Sequence, residues 1–382
     1  MSCLIRGKSA YLFLLLFLFT LVLVGCADKQ KNLKNNKEEK GAASAEQKEK
    51  SIFPIKYKDG DFIQVAGWLS DQSIAYIAKK GTNYQLYEHQ LSTGKDKLLY
   101  QSDKEMVTVK ISPDLQKVLI YTNSLEGGKI TIIDSGGSVL YENLLASFEA
   151  EFVWNPFTNN EIVVTTFKED WNSHVFLLKV NDQKLMEKAF LKPFSQWLNK
   201  EELAYIKWQE QDSAFQSPIK TINIQTKVES VLSLSNVYSF YTTKDTIITI
   251  STSEEDEQAM YTFYDHNFQK YTTISMPRLS KFNDWFVPYF DINNDQFYTF
   301  VPKQNGDIET YNKGFNFVSY NKKNGSKKYI GQQLYENEPI SLSPNGKWCL
   351  YGYYFEKLMN VSTGEIQSLS AKRIHDKNQN RV

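Results

Sequence analysis

The sequence predicts an all-β protein, a β-propeller of four-stranded blades in which seven repeat units can be counted. Three observations predict this fold. Short runs rich in Val, Ile, Tyr, Phe and Thr alternate with Asn, Asp, Gly, Ser and Pro, which is the pattern of strands and turns. One turn recurs about every 43 residues. Helical periodicity is hard to find over the roughly 320 residues that follow the N-terminal segments.

The recurring turn follows a strand that ends in an aromatic or aliphatic residue. Its seven copies begin at Trp68, Ile111, Trp154, Trp197, Phe240, Phe290 and Leu342. A strongly β run and a second hairpin follow each copy, so that each unit supplies about four strands. Because one four-stranded sheet cannot bury both faces alone, the units are expected to pack radially. A six-bladed arrangement would follow if an end unit were incomplete, and a Greek-key sandwich would not explain the period.

The tryptophans at the repeated position admit two interpretations. Trp68, Trp154 and Trp197 could form a sugar-binding platform. Since they recur at one structural position, we expect them in the core between blades. The turn residues after them, Ser or Asn beside Pro and then Asp, Asn or Gly, are those that fix a chain reversal.

The N-terminus is typical of a secretory signal peptide. Arg6 and Lys8 precede an apolar run that extends from Tyr11 to Val24. A positive segment, an apolar segment of this length and a small residue at the cut describe such a peptide. At about 1.5 Å per residue the run is shorter than the roughly 30 Å hydrocarbon core, which disfavours a permanent transmembrane helix.

The run ends in Leu23-Val-Gly25-Cys26, which resembles the lipobox of bacterial lipoproteins. The Cys26 thiol would accept a diacylglyceryl group as a thioether. Gly25 would let the signal peptidase reach the preceding bond, and Leu23 would fill its apolar subsite. The alternative is an uncleaved signal anchor with an incidental cysteine. Two acyl chains anchor a protein stably, whereas one binds membranes only marginally.

Four segments are expected along the chain. They are a lipoprotein signal peptide (1–25), the lipidated cysteine with a tether (26–56), the β-propeller (57–370) and a polar C-terminal tail (371–382). The tether contains almost no large apolar residues, so it is expected to be disordered. Its reach would be roughly 25–30 Å. Its lysines could rest on anionic headgroups, although a solvated spacer is the simpler interpretation.

Charge and cysteine content exclude some classes of protein. The chain has 44 basic and 44 acidic side chains, without the basic stripe that nucleic-acid binding requires. Cys3 would leave with the signal peptide, and Cys26 would be lipidated. Cys349 would then remain alone, so no disulfide is expected, and its strand-like surroundings predict a buried apolar role.

The turns Ser112-Pro113-Asp114 and Ser343-Pro344-Asn345-Gly346, each followed by a β run, resemble the SPDG-type turns of TolB-like propellers. Together with the lipobox and tether, they make the chain similar to an uncharacterised family of Gram-positive lipoproteins with such a propeller. The resemblance covers most of residues 60–370 and implies a fold and a location. It carries no catalytic residues to positions of this chain.

A search for chemistry finds no catalytic constellation in the sequence. None of the four histidines, His89, His174, His266 and His375, belongs to a metal-spaced pair, and we interpret them as surface or loop residues. Nucleophile-elbow, P-loop and dinucleotide motifs are absent. The run Asp291-Ile-Asn-Asn-Asp295 begins like a calcium loop but falls on the repeated turn. No catalytic residue, metal or cofactor is therefore predicted.

Trp171 and Trp208 lie outside the repeated position, just past the second strands of their units. If exposed, they would be candidate ligand contacts that stack on a sugar or anchor a protein. Packing at the rim of the propeller is the alternative. The acidic run Glu254–Glu257 is expected to be a solvated hairpin loop, or else a contact for a basic partner.

Two functions remain open at the level of sequence. The first is a membrane-anchored extracytoplasmic lipoprotein whose propeller binds or scaffolds a protein, peptide or cell-wall polysaccharide at one mouth. The second is a hydrolase or lyase with a polar site in the central channel, built from single residues of several blades.

Replacing Cys26 with alanine removes the only nucleophile that could accept the lipid. We expect Cys26→Ala to abolish membrane association, measured by fractionating cells that export the chain. An exported variant that stays as membrane-bound as the wild type would contradict the lipoprotein interpretation.

Overall fold

The computed structural model describes residues 52–57, 60–124, 127–147, 149–168, 172–206, 217–234, 236–253, 258–282 and 284–370. Within these residues the strands form seven four-stranded antiparallel sheets and one small three-stranded sheet. This part of the chain contains no helix, and thus none that could span a membrane. The all-β prediction with four strands per unit is confirmed.

Six blades consist of four consecutive strands each, and blade 6 is interrupted by a strand of the small sheet. Blade 1 has β1 (Asp61–Ser70), β2 (Ser73–Lys80), β3 (Asn83–Gln90) and β4 (Asp96–Ser102). Blade 2 has β5 (Met106–Ile111), β6 (Lys117–Ser124), β7 (Gly127–Asp134) and β8 (Val139–Leu145). Blade 3 has β9 (Glu149–Trp154), β10 (Glu161–Phe167), β11 (Ser173–Lys179) and β12 (Lys184–Glu187).

The remaining blades follow the same order along the chain. Blade 4 has β13 (Gln196–Trp197), β14 (Glu202–Ile206), β15 (Ile219–Asn223) and β16 (Glu229–Val231). Blade 5 has β17 (Ser239–Thr242), β18 (Ile247–Ser253), β19 (Gln258–Tyr264) and β20 (Lys270–Pro277). The small sheet has β21 (Leu279–Lys281), β22 (Asp284–Phe286) and β25 (Gly306–Asp307). Blade 6 has β23 (Phe290–Asn293), β24 (Gln296–Pro302), β26 (Phe315–Asn321) and β27 (Lys327–Tyr329). Blade 7 has β28 (Ile340–Leu342), β29 (Trp348–Tyr351), β30 (Lys357–Asn360) and β31 (Ile366–Ser368).

Apolar side chains fill every joint between neighbouring blades. Seven clusters of buried residues each combine two adjacent sheets, and one of them joins blade 7 to blade 1. Strand β2 shows how this works, because its residues alternate between two joints. Ile74 and Tyr76 belong to the joint with blade 7, whereas Ala75 and Ile77 belong to the joint with blade 2. All four are fully buried, so the sheet is apolar on both faces.

The first and last blades meet without exchanging a strand, since each blade comes from one stretch of chain. The two blades are connected by polar contacts as well as by apolar packing. The Trp68 indole donates to the Ser341 carbonyl at 2.9 Å. The Val65 amide donates to the Tyr354 carbonyl at 2.9 Å. These contacts close the ring between positions that are almost 300 residues apart.

Residues 52–57, which we call the N-terminal strap, lie across the same joint. Ile55 pairs with Ser370, and its amide donates to the Leu369 carbonyl at 2.7 Å, beside blade 7. The Phe53 amide donates to the Leu91 carbonyl of blade 1 at 2.8 Å. Ile55 is only 2% exposed. The strap therefore binds the end of the propeller to its beginning.

His89 holds the strap in place and corrects one sequence prediction. It was expected to be a surface or loop residue, but it lies in β3 and is fully buried. Its Nδ1 lies 2.7 Å from Asp96 Oδ1, and its Nε2 lies 2.9 Å from the Phe53 carbonyl oxygen. Through these two contacts the buried ring connects Asp96 of blade 1 to the backbone of the strap.

The repeated turns are built as the sequence predicts. Ser112 Oγ donates to Asp114 Oδ1 at 2.6 Å and accepts the Lys117 amide at 2.9 Å. Ser343 makes the corresponding contacts with Asn345 and Trp348. A residue with positive φ completes the reversal in several blades, namely Leu115, Asn159, Asn294 and Gly346.

Two copies of the repeat were assigned two residues too early. By strand register, Trp154 pairs with Ile162 and Leu342 pairs with Cys349 at the start of the second strand. In blades 5 and 6 the equivalent residues are Thr242 and Ile292, which follow the predicted Phe240 and Phe290 by two positions. Because side chains alternate along a strand, a shift of two keeps the same face, and the residue pattern cannot distinguish the two registers.

Truncating Ile55 should weaken ring closure. We expect Ile55→Ala to lower the free energy of unfolding by about 2–4 kcal/mol, as for other buried large-to-small changes. Urea unfolding followed by tryptophan fluorescence would measure it. Ile366→Ala is the matched control, since Ile366 in β31 is 39% exposed. Equal losses in both variants would show that the strap does not support the ring.

Candidate functional site

The two faces of the propeller differ in the loops they carry. We call one of them the turn face. It carries two turns of each blade, one between the first and second strands and one between the third and fourth strands. The opposite face, with the loops between second and third strands and the connections between blades, is the connector face. Since neighbouring inner strands contact one another, the first strand of each blade lines the central channel.

A cavity of about 560 Å³ opens at the turn face. Blades 2 to 6 all contribute to its lining, including Asp114, Trp154, Trp197, Asp245 and Lys322. Five consecutive blades can border one space only near the axis of the ring, so the cavity lies at the mouth of the channel. Its volume falls within the range of small-molecule sites in proteins, roughly 300–1,000 Å³.

The lining combines two carboxylates, two ammonium groups and two indole rings. Asp114 and Asp245 carry negative charge, whereas Lys244 and Lys322 carry positive charge. Lys244 and Asp245 are exposed at the rim, while Lys322 is only 4% exposed. The cavity thus offers both donors and acceptors with a formal charge near zero.

The repeated position supplies part of this lining. Trp154, Trp197, Thr242 and Ile292 occupy it in blades 3 to 6, and all four border the cavity. Trp68, Trp154 and Trp197 are 4%, 7% and 1% exposed and pack between blades. The prediction that these tryptophans belong to the core is confirmed. Two of them also form the wall of the mouth.

The channel wall is held together by side chains one residue before the repeated position. Lys110 Nζ donates to the Phe152 carbonyl of the next blade at 2.8 Å. Gln196 Nε2 donates to the corresponding Phe240 carbonyl at 2.9 Å. Burial lowers the pKa of Lys110. These groups connect adjacent inner strands, so their hydrogen bonds hold neighbouring blades together.

Asp291 makes the same kind of connection in blade 6. Its carboxylate accepts the Ile292 amide and, across the joint, the Leu342 amide of blade 7, both at 2.7 Å. Burial raises the pKa of Asp291 to about 6, against the opposing effect of these two amides. The carboxyl group is therefore poised to titrate in mildly acidic conditions.

The calcium-like run around Asp291 is engaged by protein groups. Asn293 donates to the Ser343 and Pro344 carbonyls at 3.0 and 2.9 Å. Asp295 Oδ2 lies 2.8 Å from Lys323 Nζ. The three side chains face different partners, which accounts for the composition of the run as part of a turn. Within the described residues, no group of three His, Cys, Asp or Glu side chains could hold a metal ion.

The other singled-out residues have structural surroundings. His174 Nδ1 lies 2.7 Å from Glu187 Oε1, at the exposed side of blade 3. His266 Nε2 lies 3.0 Å from the Thr243 carbonyl, on the turn face. Cys349 is fully buried, as predicted, and burial raises the pKa of its thiol.

Several sequence-predicted residues lie outside the described residues. They are Leu23, Gly25, Cys26, Trp171, Trp208, His375 and the run Glu254–Glu257. The structure brings together a different set at the mouth, and sequence reasoning missed Lys322 in particular. A signal existed, because Lys322 falls at a repeat position that four other blades fill with aliphatic residues.

The fold and the mouth cavity together define a class of protein, a closed β-propeller with a ligand-sized opening on its axis. The particular family follows from a match of residues 90–352 to the YqgU-like 6-bladed beta propeller domain, and the chain belongs to that family. The match covers blades 2 to 6 completely and blades 1 and 7 in part. The described residues form seven blades, one more than the description of the family names.

Relatives agree with this assignment. The chain is 29% identical over 341 residues to the uncharacterized lipoprotein YqgU of Bacillus subtilis, covering 88% of this chain and 91% of the relative. The uncharacterized protein lmo1340 from Listeria monocytogenes matches with a TM-score of 0.77 and 23% identity, over 85% of this chain and 99% of that one. The predicted membership in an uncharacterised family of lipoprotein propellers is confirmed.

A more distant likeness concerns the fold alone. The β-propeller domain of the Trilobed protease from Pyrococcus furiosus matches with a TM-score of 0.54 and 13% identity, over 82% of this chain and 98% of that domain. That domain is described as having an open velcro topology.

Titration of Asp291 should make stability depend on pH. Because its pKa is higher in the folded protein, about 6, than in the unfolded chain, 3.8, protonation favours folding. This contribution is complete below about pH 4 and is lost as the pH rises through 6. Relative to Asp291→Asn, the wild type should lose roughly 2 kcal/mol of unfolding free energy between pH 4 and 7. Parallel pH profiles from urea unfolding would contradict the shift.

Proposed function

We propose that the chain is a lipid-anchored protein of the extracytoplasmic membrane face, and that its propeller binds a protein, peptide or cell-wall polysaccharide at the turn-face mouth. The anchor would be Cys26, behind the Leu23-Val-Gly25 sequence of a lipobox. The similarity to a Bacillus subtilis protein named as a lipoprotein, over 88% of this chain, supports this location.

The mouth cavity is the observation that carries the binding function. It is large enough for a disaccharide or a short peptide. Its wall mixes indole surfaces with charged and amide groups, as ligand sites do, and it lies on the axis where residues of five blades meet. The exposed Lys244 and Asp245 place charged groups at the entrance.

Binding rather than catalysis is supported by the way polar groups are used. Lys110, Gln196 and Asp291, which line the channel, are each hydrogen-bonded to the backbone of the ring. A hydrolase or lyase would need acid and base groups that converge on one reacting atom. In the described wall, these three side chains instead hold neighbouring blades together.

A photo-crosslinking amino acid placed at the mouth should capture the ligand in living cells. We expect the residue incorporated at position 244 to yield a discrete adduct, and the one at position 353 to yield none. Tyr353 is the matched control because it is 63% exposed but lies on the connector face. Adducts would be resolved by electrophoresis and mass spectrometry.

The adduct at position 244 should also disappear when Cys26→Ala removes the anchor, since the domain would leave the membrane surface. An adduct that forms only at position 353 would place the binding surface on the connector face. An adduct at position 244 that persists in an exported, unanchored Cys26→Ala variant would contradict the role of the anchor.

A further inference from the structure

One position in the turn between the third and fourth strands makes the same backbone hydrogen bond in most blades. In five blades its amide donates to a carbonyl in the first turn of the same blade, at 2.8–3.0 Å. The residues at this position are Leu91, Val180, Ile224, Lys322 and Val361. All are buried, with exposures between 1% and 9%. Blade 6 therefore holds a lysine where four other blades hold an aliphatic side chain.

Lys322 is poorly neutralised for a buried charge. Its Nζ donates to the Thr246 hydroxyl of blade 5 at 2.6 Å. Its nearest carboxylate, Asp295, is 3.9 Å away and lies closer to Lys323, at 2.8 Å. Burial lowers the pKa of Lys322, while Asp295 and Asp245 act in the opposite direction. An ammonium group has three donors, and within the described residues Thr246 takes one of them at hydrogen-bond distance.

A residue that lines the same cavity has a buried indole N–H group without a protein partner. The Trp68 indole donates to Ser341 and the Trp197 indole donates to Val153, which are equivalent carbonyls of the preceding blade. Trp154 occupies the same position in blade 3 and lines the cavity with Lys322. Its Nε1 has no hydrogen-bond partner among the described residues, although the side chain is 93% buried, with an exposure of 7%.

We propose that the mouth cavity binds a ligand through a carboxylate, which pairs with the Lys322 ammonium group. This inference rests on the proposed function and specifies the ligand of the same site. The Lys322 ammonium group balances one negative charge, whereas Lys244 lies exposed at the rim. Asp114 and Asp245 on the same lining disfavour a dianion such as a phosphate monoester. These carboxylates can instead accept N–H or O–H groups from the rest of the ligand.

The carboxylate can come from two sources of suitable size, the C-terminus of a peptide or a uronic acid of a polysaccharide. A cavity of about 560 Å³ accommodates either. Isothermal titration of the detergent-solubilised lipoprotein would distinguish them with two matched pairs of probes. The first pair is acetyl-trialanine and its C-terminal amide, and the second is a uronic-acid disaccharide and its methyl ester.

We expect at least one acid to bind. Its neutral counterpart should bind on the order of tenfold to a hundredfold more weakly, because it cannot form a charged hydrogen bond. Lys322→Met should cause the same loss. Lys323→Met is the matched control, because it removes an adjacent but exposed charge, and it should retain binding. In addition, Lys322→Met should raise Tm by roughly 1–4 °C, since it restores an apolar side chain at an apolar position.

Three results would overturn the inference. They are a panel in which no acid binds, a Lys322→Met variant that keeps its affinity for the acid, and a Lys322→Met variant that melts at lower temperature. The last would assign the lysine to the packing of blades 5 and 6.

The same experiment separates this inference from the proposed function. In one outcome, the amide or ester binds as well as the acid and loses affinity only in Thr243→Trp, which fills the mouth. That outcome refutes the carboxylate and retains mouth binding. Binding that neither Lys322→Met nor Thr243→Trp affects refutes both.

Discussion

The structure depends on one constraint, that every blade must bury both faces of its sheet. A four-stranded sheet such as β1–β4 has apolar residues on both sides, and Ile74 and Ala75, one residue apart, belong to different joints. Neither face can be covered unless a blade stands on each side. The ring must therefore close, and closure relies on the joint between blades 7 and 1, where Trp68 and the strap residue Ile55 are buried.

This constraint also determines which positions of the fold can carry polar side chains. Strand centres must remain apolar, so polar groups concentrate at strand ends, in turns and along the channel. Lys110, Gln196 and Asp291 use the channel positions to connect inner strands. Lys322 departs from the pattern by placing a charge at an aliphatic position next to the mouth. A buried charge without a close partner destabilises a fold. A ligand carboxylate that pairs with Lys322 would offset this destabilisation.

Sequence reasoning succeeded where the physical signal is local and periodic. The repeat of the first turn, the burial of Trp68 and Cys349 and the four strands per unit follow from alternation and turn chemistry. It was wrong where two arrangements share one pattern. Phe240 and Phe290 lie two residues from the true repeat position on the same face of their strands. His89 was assigned to the surface because its partners, Asp96 and the Phe53 carbonyl, lie on other segments.

The sequence by itself determined the all-β class and the period of the repeat, and it predicts a lipobox around Cys26, because each pattern is encoded in neighbouring residues. The tertiary structure alone decided which residues meet at the mouth. Asp114 and Lys322 are more than 200 positions apart, and only closure of the ring brings them to one cavity. Such a site has no local pattern, because its geometry is set by the packing of whole blades and not by the spacing of residues along the chain.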